Sequence, residues 1–256
     1  MTASVSIGIA AAAGADVAAR IAPTVERAGF HALWVNDTPG ADALEVLAAA
    51  AAVTERLVLA TGVLPADRRS AAEISARVAA LGLPEERLVL GIGSGSGGAV
   101  GALVRVADAA SALRAGSEAR VVVGALGPKM RRLGATVSDG VLLSWLTPDA
   151  ARAQAREAHE TAAAAHVALY VRAAADVAAV GRLDVEAERY AGYPSYAANF
   201  ARLGIAARDT VLRPDGFAAG LAEYRAAVDE VVLRAIVPGD DAADYLAFVE
   251  AAAAAH

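Results

Sequence analysis

Two glycine-containing segments of the sequence have residue types that bind anions. The first, from Gly91 to Gly98, holds five glycines and two serines. The second is Gly127-Pro128-Lys129, which is followed by Arg131 and Arg132. Glycine lets backbone N–H groups approach a phosphate closely, and the start of a helix adds partial positive charge. The two segments therefore predict a site for a phosphate-bearing ligand, with a simple flexible loop as the alternative for the first.

A carboxylate and an indole ring follow two other apolar stretches. Asp37 comes directly after Leu33–Asn36, where it could act as the catalytic carboxylate by orienting a substrate or a ring N–H. The alternative for Asp37 is a helix cap or a turn residue, because Pro39-Gly40 follows it. Trp145 offers a flat apolar wall to an aromatic ligand, and its alternative is packing in the interior.

Several other chemistries are excluded by residue type or position. Cysteine is absent, which excludes disulfides, thiolate metal sites and thiol nucleophiles. None of the four histidines follows a predicted strand, so we expect neither a histidine metal site nor a Ser-His-Asp triad. Arg172 and Arg234 lie in neighbouring buried strands, which calls for partner carboxylates or a bound anion, and we expect internal ion pairs.

Composition bounds the class of protein and its partners. The 256 residues include 23 Lys and Arg against 29 Asp and Glu, which gives a formal net charge of −6, and 57% of them are hydrophobic. An acidic chain without an arginine-rich stripe is not expected to bind nucleic acid. We find no apolar run of the roughly 18 residues that span a bilayer, and no signal peptide. We therefore expect a cytoplasmic protein that is not bound to a membrane and acts on a small molecule.

Eight short apolar runs rich in Val, Ile and Leu organise the chain. Each is followed by a turn and then a helical pattern, which is typical of alternating strands and helices. Their hydrophobicity is continuous, as in a parallel sheet whose strands are buried on both faces. The runs are Val5–Ala10, Ala32–Asn36, Leu57–Val63, Leu88–Ile92, Arg120–Gly124, Gly140–Trp145, Val167–Arg172 and Val231–Val237.

This alternation predicts one domain over residues 1–256, a (β/α)8 TIM barrel. The rival is an open doubly wound sheet, but the first strand runs into Ala11–Gly14, which lacks the GxGxxG spacing typical of that fold. Helices are expected from about Asp16 to Ala28 and from Ala99 to Ala115, and the long interval before the last strand must hold more than one helix. In such a barrel the active site lies at the carboxyl ends of the strands, where the candidate residues above are found.

Several segments in a fixed order carry a family resemblance. They are Ala32–Asp37, Leu47–Val63, Leu88–Gly93, Gly124–Met130, Asp139–Pro148, Tyr193–Tyr196 and Phe200–Gly204. Together they resemble the bacterial luciferase-like family, whose actinobacterial branch uses the deazaflavin coenzyme F-420. The resemblance runs from Val5 to about Val237.

The resemblance implies where a cofactor would bind. A flavin-like ring would lie across the barrel mouth near Asp37 and the exit of the third strand, where the Gly62–Val63 peptide bond is expected to be cis. The phosphate-bearing tail would reach the two glycine-containing segments. The implied cofactor-binding residues are Thr61, Gly62, Val63, Gly93, Ser94, Gly95, Ala125, Gly127, Pro128, Lys129 and Trp145.

The sequence departs from the family pattern at two places. Thr38 stands where deazaflavin enzymes of this kind often carry a histidine directly after the aspartate. The connection Ser94–Ala119 is short where the family usually carries a long insertion, so little chain remains for a lid. We therefore expect a groove that is open on this side or completed by a second subunit, since family members commonly form homodimers.

Three functions are compatible with these features. The first is an F-420-dependent oxidoreductase that transfers a hydride to or from a small organic substrate. The second is an FMN-dependent monooxygenase of the same family. The third is a barrel that binds a flavin without catalysing a reaction.

Overall fold

Parallel strands form the centre of the protein. The computed structural model describes residues 3–95 and 100–256. Within these ranges the strands are β1 (Ser4–Ala10), β2 (Ala32–Asn36), β3 (Val58–Thr61), β4 (Leu64–Pro65), β5 (Leu88–Gly93), β6 (Arg120–Gly124), β7 (Gly140–Ser144), β8 (His166–Ala173) and β9 (Glu230–Ala235). Their order in the sheet is β3-β2-β1-β9-β8-β7-β6-β5-β4.

The sheet closes into a barrel. β3 pairs with β5 as well as with β2, which joins the two edges of the sheet. β4 also pairs with β5, so β3 and β4 share one position in the barrel and are separated by Gly62 and Val63. Eight strand positions therefore alternate with helices, and the predicted (β/α)8 TIM barrel is confirmed.

Helices surround this barrel. In the described part of the chain they are α1 (Gly14–Arg27), α2 (Ala43–Ala51), α3 (Ala71–Ala80), α4 (Ala102–Gly116), α5 (Pro128–Val137), α6 (Pro148–Thr161), α7 (Val180–Ala191), α8 (Pro194–Leu203), α9 (Phe217–Arg225) and α10 (Ala242–Ala253). The two expected helices correspond to α1 and α4, although Ala99 lies outside the described residues. The long interval before β9 holds α7, α8 and α9.

Side-chain caps fix where several helices begin. The Asp42 carboxylate accepts the Leu44 N–H at 3.0 Å at the start of α2. Ser70 and Glu73 form a reciprocal capping box at the start of α3. Such caps typically contribute about 0.5–2 kcal/mol each. The loops that leave the barrel mouth are therefore held at the helix ends that follow them.

The amino end of the barrel is closed by a buried carboxylate. Glu230 accepts hydrogen bonds from the Ser6 hydroxyl at 2.6 Å and the Trp34 indole N–H at 2.7 Å, and bonds His166 Nε2 at 2.8 Å. Burial by itself raises the pKa of Glu230, but the hydrogen bonds from His166 and Ser6 outweigh it and leave the pKa below its ordinary value. Above this base, Trp34 packs edge-to-face on Tyr170 with ring centroids 5.9 Å apart. The interior is therefore filled, and a ligand can bind only at the ends.

Candidate active site

Side-chain alternation brings predicted and unpredicted residues together at the carboxyl end of the barrel. Trp34, Tyr170 and Val232 belong to the cluster that fills the interior. Residues two positions further along a strand face the same side. The inward positions at the mouth are therefore Asn36, Gly62, Gly93, Gly124, Ser144, Arg172 and Arg234.

One half of this mouth consists of glycines and an apolar side chain. The peptide bond between Gly62 and Val63 is cis, as the family resemblance implies. A Cβ atom built at Gly93 or at Gly124 would collide with the Val63 side chain. The two glycines therefore leave room for Val63 to lie over the ends of β5 and β6 as an apolar shelf. Gly124 and Val63 are partly exposed, so this half is accessible.

Polar groups hold the shelf from the neighbouring strands. The Asn36 side-chain amide donates a hydrogen bond to the Gly62 carbonyl. The Thr61 hydroxyl is fully buried and accepts the Gly91 N–H at 2.9 Å. Thr61 therefore supports the turn between β3 and β4 and uses its hydroxyl within the protein.

The other half of the mouth carries two buried arginines. Arg172 and Arg234 are register partners on β8 and β9, and their residues are 4% and 9% exposed. Arg172 Nε donates to Glu186 on α7 at 3.2 Å, and Nη1 donates to the Ser144 hydroxyl at 2.5 Å. Arg234 Nε donates to the side-chain oxygen Oδ1 of Asn36 at 3.0 Å. The predicted internal ion pair thus forms for Arg172, whereas Arg234 is held by uncharged groups.

Aromatic rings cover Arg172. Its guanidinium carbon lies 4.3 Å from the centroid of the Trp145 ring and 4.8 Å from that of Tyr190. Burial by itself lowers the pKa of Arg172, but Tyr190 and Glu186 outweigh it and the pKa is raised. The guanidinium therefore stays charged although α7 shields it from solvent.

Two buried polar atoms in this half have no hydrogen-bond partner among the described residues. They are the Tyr170 hydroxyl and the Trp145 indole nitrogen, on residues 2% and 1% exposed. Tyr170 spans the barrel, since a Cβ atom at Gly62 would come within 2.7 Å of its hydroxyl. Burial raises the pKa of Tyr170, so the phenol is neutral. Trp145 also has a φ of 58°, a conformation that bulky residues adopt only when their surroundings enforce it.

The described part of the first predicted anion-binding segment lies beside the second at the mouth. β5 and β6 are adjacent, and the Ala125 N–H donates to the Leu142 carbonyl at 3.0 Å, which aligns the loop that leads into α5. Gly127 precedes Pro128 at the start of α5, and Lys129 is exposed in the first turn. The first turn of α5 contains no acidic residue and Gly127 makes no side-chain cap. The backbone N–H groups of the first turn of α5 and the exposed Lys129 side chain therefore make the start of this helix positively charged.

Two details change the expected charge pattern. Arg131 is 3% exposed and bonds Glu157 at 2.6 Å and the Leu126 carbonyl at 3.1 Å, so it does not join a free basic cluster. Gly95 has a φ of 69°, and a Cβ there would collide with the Asp67 carboxylate. Ser94 precedes it in the same loop, whereas the rest of the glycine run, Ser96–Gly98, lies outside the described residues. Exposed positive charge is therefore carried by Lys129 and Arg132 on α5 and not by the loop after β5.

Asp37 follows β2 but is engaged inside the protein. Its carboxylate is 2% exposed, lies 3.2 Å from the Arg68 guanidinium and 3.9 Å from that of Arg69, and accepts the Ala43 N–H at 3.3 Å. These contacts correspond to the alternative of a turn and cap residue. Arg68 is half exposed, so its pairing with Asp37 can exchange with solvent.

Asn36, Ser144 and Tyr170 are not among the predicted site residues, and the sequence indicates a structural role for Arg172 and Arg234. A usable signal existed, because each of these residues stands two or four positions after an interior residue of its own strand. The sequence does not show that β8 and β9 pair in a register that puts Arg172 beside Arg234.

Comparison with known proteins supports the family resemblance. The family model of luciferase-like monooxygenases matches residues 2–119. No curated protein sequence gives a significant match. An F-420-dependent secondary alcohol dehydrogenase has a similar structure, with 15% identity, a TM-score of 0.72 and coverage of 98% of this chain and 99% of the other.

Two further solved structures are similar over nearly their whole length. The coenzyme F-420-dependent tetrahydromethanopterin reductase from Methanopyrus kandleri is 17% identical, with a TM-score of 0.69 and coverage of 100% and 98%. The 3,6-diketocamphane monooxygenase constituent from Pseudomonas putida, solved with FMN, is 14% identical, with a TM-score of 0.70 and coverage of 98% and 97%. The resemblance to the bacterial luciferase-like family is confirmed. At these identities the neighbours establish the fold, and both cofactor types occur among them.

Other site types find no support in the described ranges. No described helix is both long and apolar enough to cross a membrane. Across residues 3–95 and 100–256, no group of three or more His, Cys, Asp or Glu could hold a metal ion.

Proposed function

We propose that the protein is an F-420-dependent oxidoreductase. The proposal is supported by the protein's resemblance to the luciferase-like family in sequence motifs, in the match to the family model and in fold. The protein would transfer a hydride to or from a small organic substrate. The observation that carries this proposal is the mouth itself, where an apolar shelf at Val63 adjoins the cationic start of α5. A flat aromatic ring joined to a phosphate needs these two surfaces next to each other.

The residues at the mouth fit such a cofactor. Gly93 and Gly124 carry no side chain that would stand between Val63 and a ring, and Trp145 directly follows β7, the strand next to β6. Reduced deazaflavin supplies a hydride from ring carbon five. The cofactor-binding residues we propose are Thr61, Gly62 and Val63 with Trp145 for the ring, and Gly93, Ser94, Gly95, Ala125, Gly127, Pro128 and Lys129 for the tail.

The protein's own groups would orient the substrate and exclude water. α7 covers Arg172 and leaves it 4% exposed, which lowers the local dielectric and strengthens polar contacts there. The Tyr170 phenol is neutral, so its hydroxyl can donate a hydrogen bond to a substrate oxygen. Asp37 remains our candidate catalytic carboxylate, and its contact with Arg68 must open before it can reach a ligand.

An FMN-dependent monooxygenase is the second candidate. The FMN complex of a monooxygenase with the same fold favours it, as does Thr38 in place of the histidine often found in deazaflavin enzymes. A titration of the purified protein with F-420 and with FMN, followed by visible spectra and oxygen uptake, separates the two. Tight F-420 binding without oxygen uptake supports the first proposal. Preferential FMN binding with oxygen uptake would overturn it, and binding without turnover of any substrate would indicate the non-catalytic barrel.

We also propose that the protein acts in the cytoplasm as a homodimer on a small-molecule substrate. An apolar patch at the start of α4 supports the dimer, since Val100 is 91%, Leu103 38% and Val104 63% exposed. Exposed apolar side chains that lie together favour burial against another chain. Light scattering measures the oligomeric state directly.

A further inference from the structure

We propose that Arg172 and Arg234 form a binding site for an anionic oxygen group, of which a carboxylate is the simplest case. The site lies in the polar half of the barrel mouth. The assignment of this anion to the substrate rests on the proposed oxidoreductase function. The existence of the anion site does not depend on that function.

The position of the two arginines brings their charges together. They are register partners on adjacent parallel strands and both face inward at the carboxyl end of the barrel. Both are at least nine-tenths buried. Two guanidinium groups held side by side without solvent repel each other unless negative charge lies between or beside them.

Only part of this charge is neutralised by the protein. Glu186 on α7 pairs with Arg172 at 3.2 Å, and the exposed Arg189 also approaches the same carboxylate at 3.8 Å. No carboxylate of the described chain lies within 4.0 Å of the Arg234 guanidinium, which donates hydrogen bonds to the Asn36 side chain and the Ala235 carbonyl. Glu230, on the same strand as Arg234, is bonded to Ser6, Trp34 and His166 at the other end of the barrel. The mouth therefore retains about one uncompensated buried positive charge.

Donors without partners surround the same place. Arg172 uses Nε and Nη1, and Arg234 uses Nε and Nη1, so that each Nη2 atom is left without a partner in the described chain and is accessible to solvent or a ligand. The Tyr170 hydroxyl and the Trp145 indole N–H are buried donors without a partner in the same part of the structure. Buried donors are almost always satisfied in folded proteins, and an anionic oxygen group accepts several hydrogen bonds at once.

The donor set favours a small planar anion. Guanidinium groups present paired N–H groups that match a carboxylate. Tyr170 is neutral and adds a donor without adding charge. A neutral amide of the same shape would bring its own N–H groups against these donors, so the site should select acetate over acetamide.

The test uses the two tryptophans as probes in the full-length protein. Their indole N–H signals are followed by NMR while acetate is added to the cofactor-free protein at constant ionic strength, and a Trp145→Phe variant assigns the signals. We expect a saturable shift of the Trp145 signal, because its N–H lacks a partner, and a steady Trp34 signal, because Trp34 is bonded to Glu230. Acetamide should produce no such shift.

Variants separate the arginine pair from general charge. Arg234→Gln should weaken acetate binding about ten- to hundredfold, the scale for losing a charge-assisted hydrogen bond. Arg182→Gln is the matched control, since Arg182 forms an exposed ion pair with Asp240 near the same end of the barrel, and acetate binding should not change. An unmoved Trp34 signal shows that each variant is folded. Arg234→Lys keeps the charge and replaces Arg234→Gln if the latter does not fold, with an intermediate loss expected.

Three results would overturn the anion site. They are no shift of Trp145 with acetate, an equal shift with acetamide, and unchanged acetate binding in the folded Arg234 variants. F-420 titration of the same variants identifies the source of the anion: unchanged F-420 affinity assigns it to the substrate, and a parallel loss assigns it to an anionic group of the cofactor. Acetate binding in a protein that does not bind F-420 would leave the site standing and refute the proposed function.

Discussion

The buried carboxylate at the base of the barrel offers a quantitative test of how the fold is held. Glu230 is 2% exposed and receives hydrogen bonds from a hydroxyl and an indole N–H, with His166 on its second oxygen. Glu230→Gln keeps the shape, and its amide oxygen can still accept from Ser6 and Trp34. We expect this variant to lose about 1–3 kcal/mol of unfolding free energy, since charged acceptors give the stronger bonds.

Glu230→Ala removes the acceptor altogether. The Trp34 indole N–H is rigid and would be left buried without a partner, so we expect a loss of about 3–5 kcal/mol. For a domain of this length that corresponds to a melting temperature lower by roughly 6–20 °C. Asp149→Asn is the control, since Asp149 forms an ion pair with Arg152 at the surface, where the two side chains are 93% and 47% exposed. It should change stability by about 0–1 kcal/mol.

The same variants have a defined pH dependence. The folded pKa of Glu230 lies below its ordinary value of 4.5. The group therefore contributes stability that is complete above 4.5 and is lost as the pH falls through the lowered folded pKa. The difference in unfolding free energy between wild type and Glu230→Gln, measured by urea unfolding, should shrink over that acidic range. A Glu230→Ala variant as stable as Glu230→Gln, or a difference that widens in acid, would refute this account of the barrel base.

Three other substitutions test the mouth and the subunit contact. Lys129→Glu should weaken F-420 binding by roughly 1–3 kcal/mol at low salt with the fold intact. Unchanged F-420 affinity would place the phosphate elsewhere, and equal weakening by Arg132→Glu would indicate a general effect of charge. Gly93→Ala should destabilise the protein by about 1–3 kcal/mol in thermal unfolding, because a Cβ there collides with the apolar shelf, whereas Gly127→Ala, with open space around it, should be tolerated. Val104→Asp should shift a dimer toward monomer in light scattering, and an unchanged assembly would show that this patch is not the contact.

The sequence was sufficient to predict the barrel, and the location of its site at the carboxyl end of the strands stays a prediction. Continuous apolar runs indicate strands that are buried on both faces, and this pattern depends only on residue type and spacing. For the same reason Gly127-Pro128-Lys129 could be read as the cationic start of a helix, since proline and glycine act on the local backbone. The turn at Gly62 and Val63 was reached through the family resemblance.

The tertiary structure alone decided which charged groups face one another. Asp37 and Arg131 were candidates for the mouth by position, yet the carboxylate of one contacts Arg68 and the guanidinium of the other contacts Glu157. Arg172 and Arg234 are 62 positions apart in the sequence, and only the pairing of β8 with β9 brings them side by side. Local patterns record the periodicity of each element. They carry no information on the register between elements or on the helix that covers a strand end, because both depend on how distant segments pack.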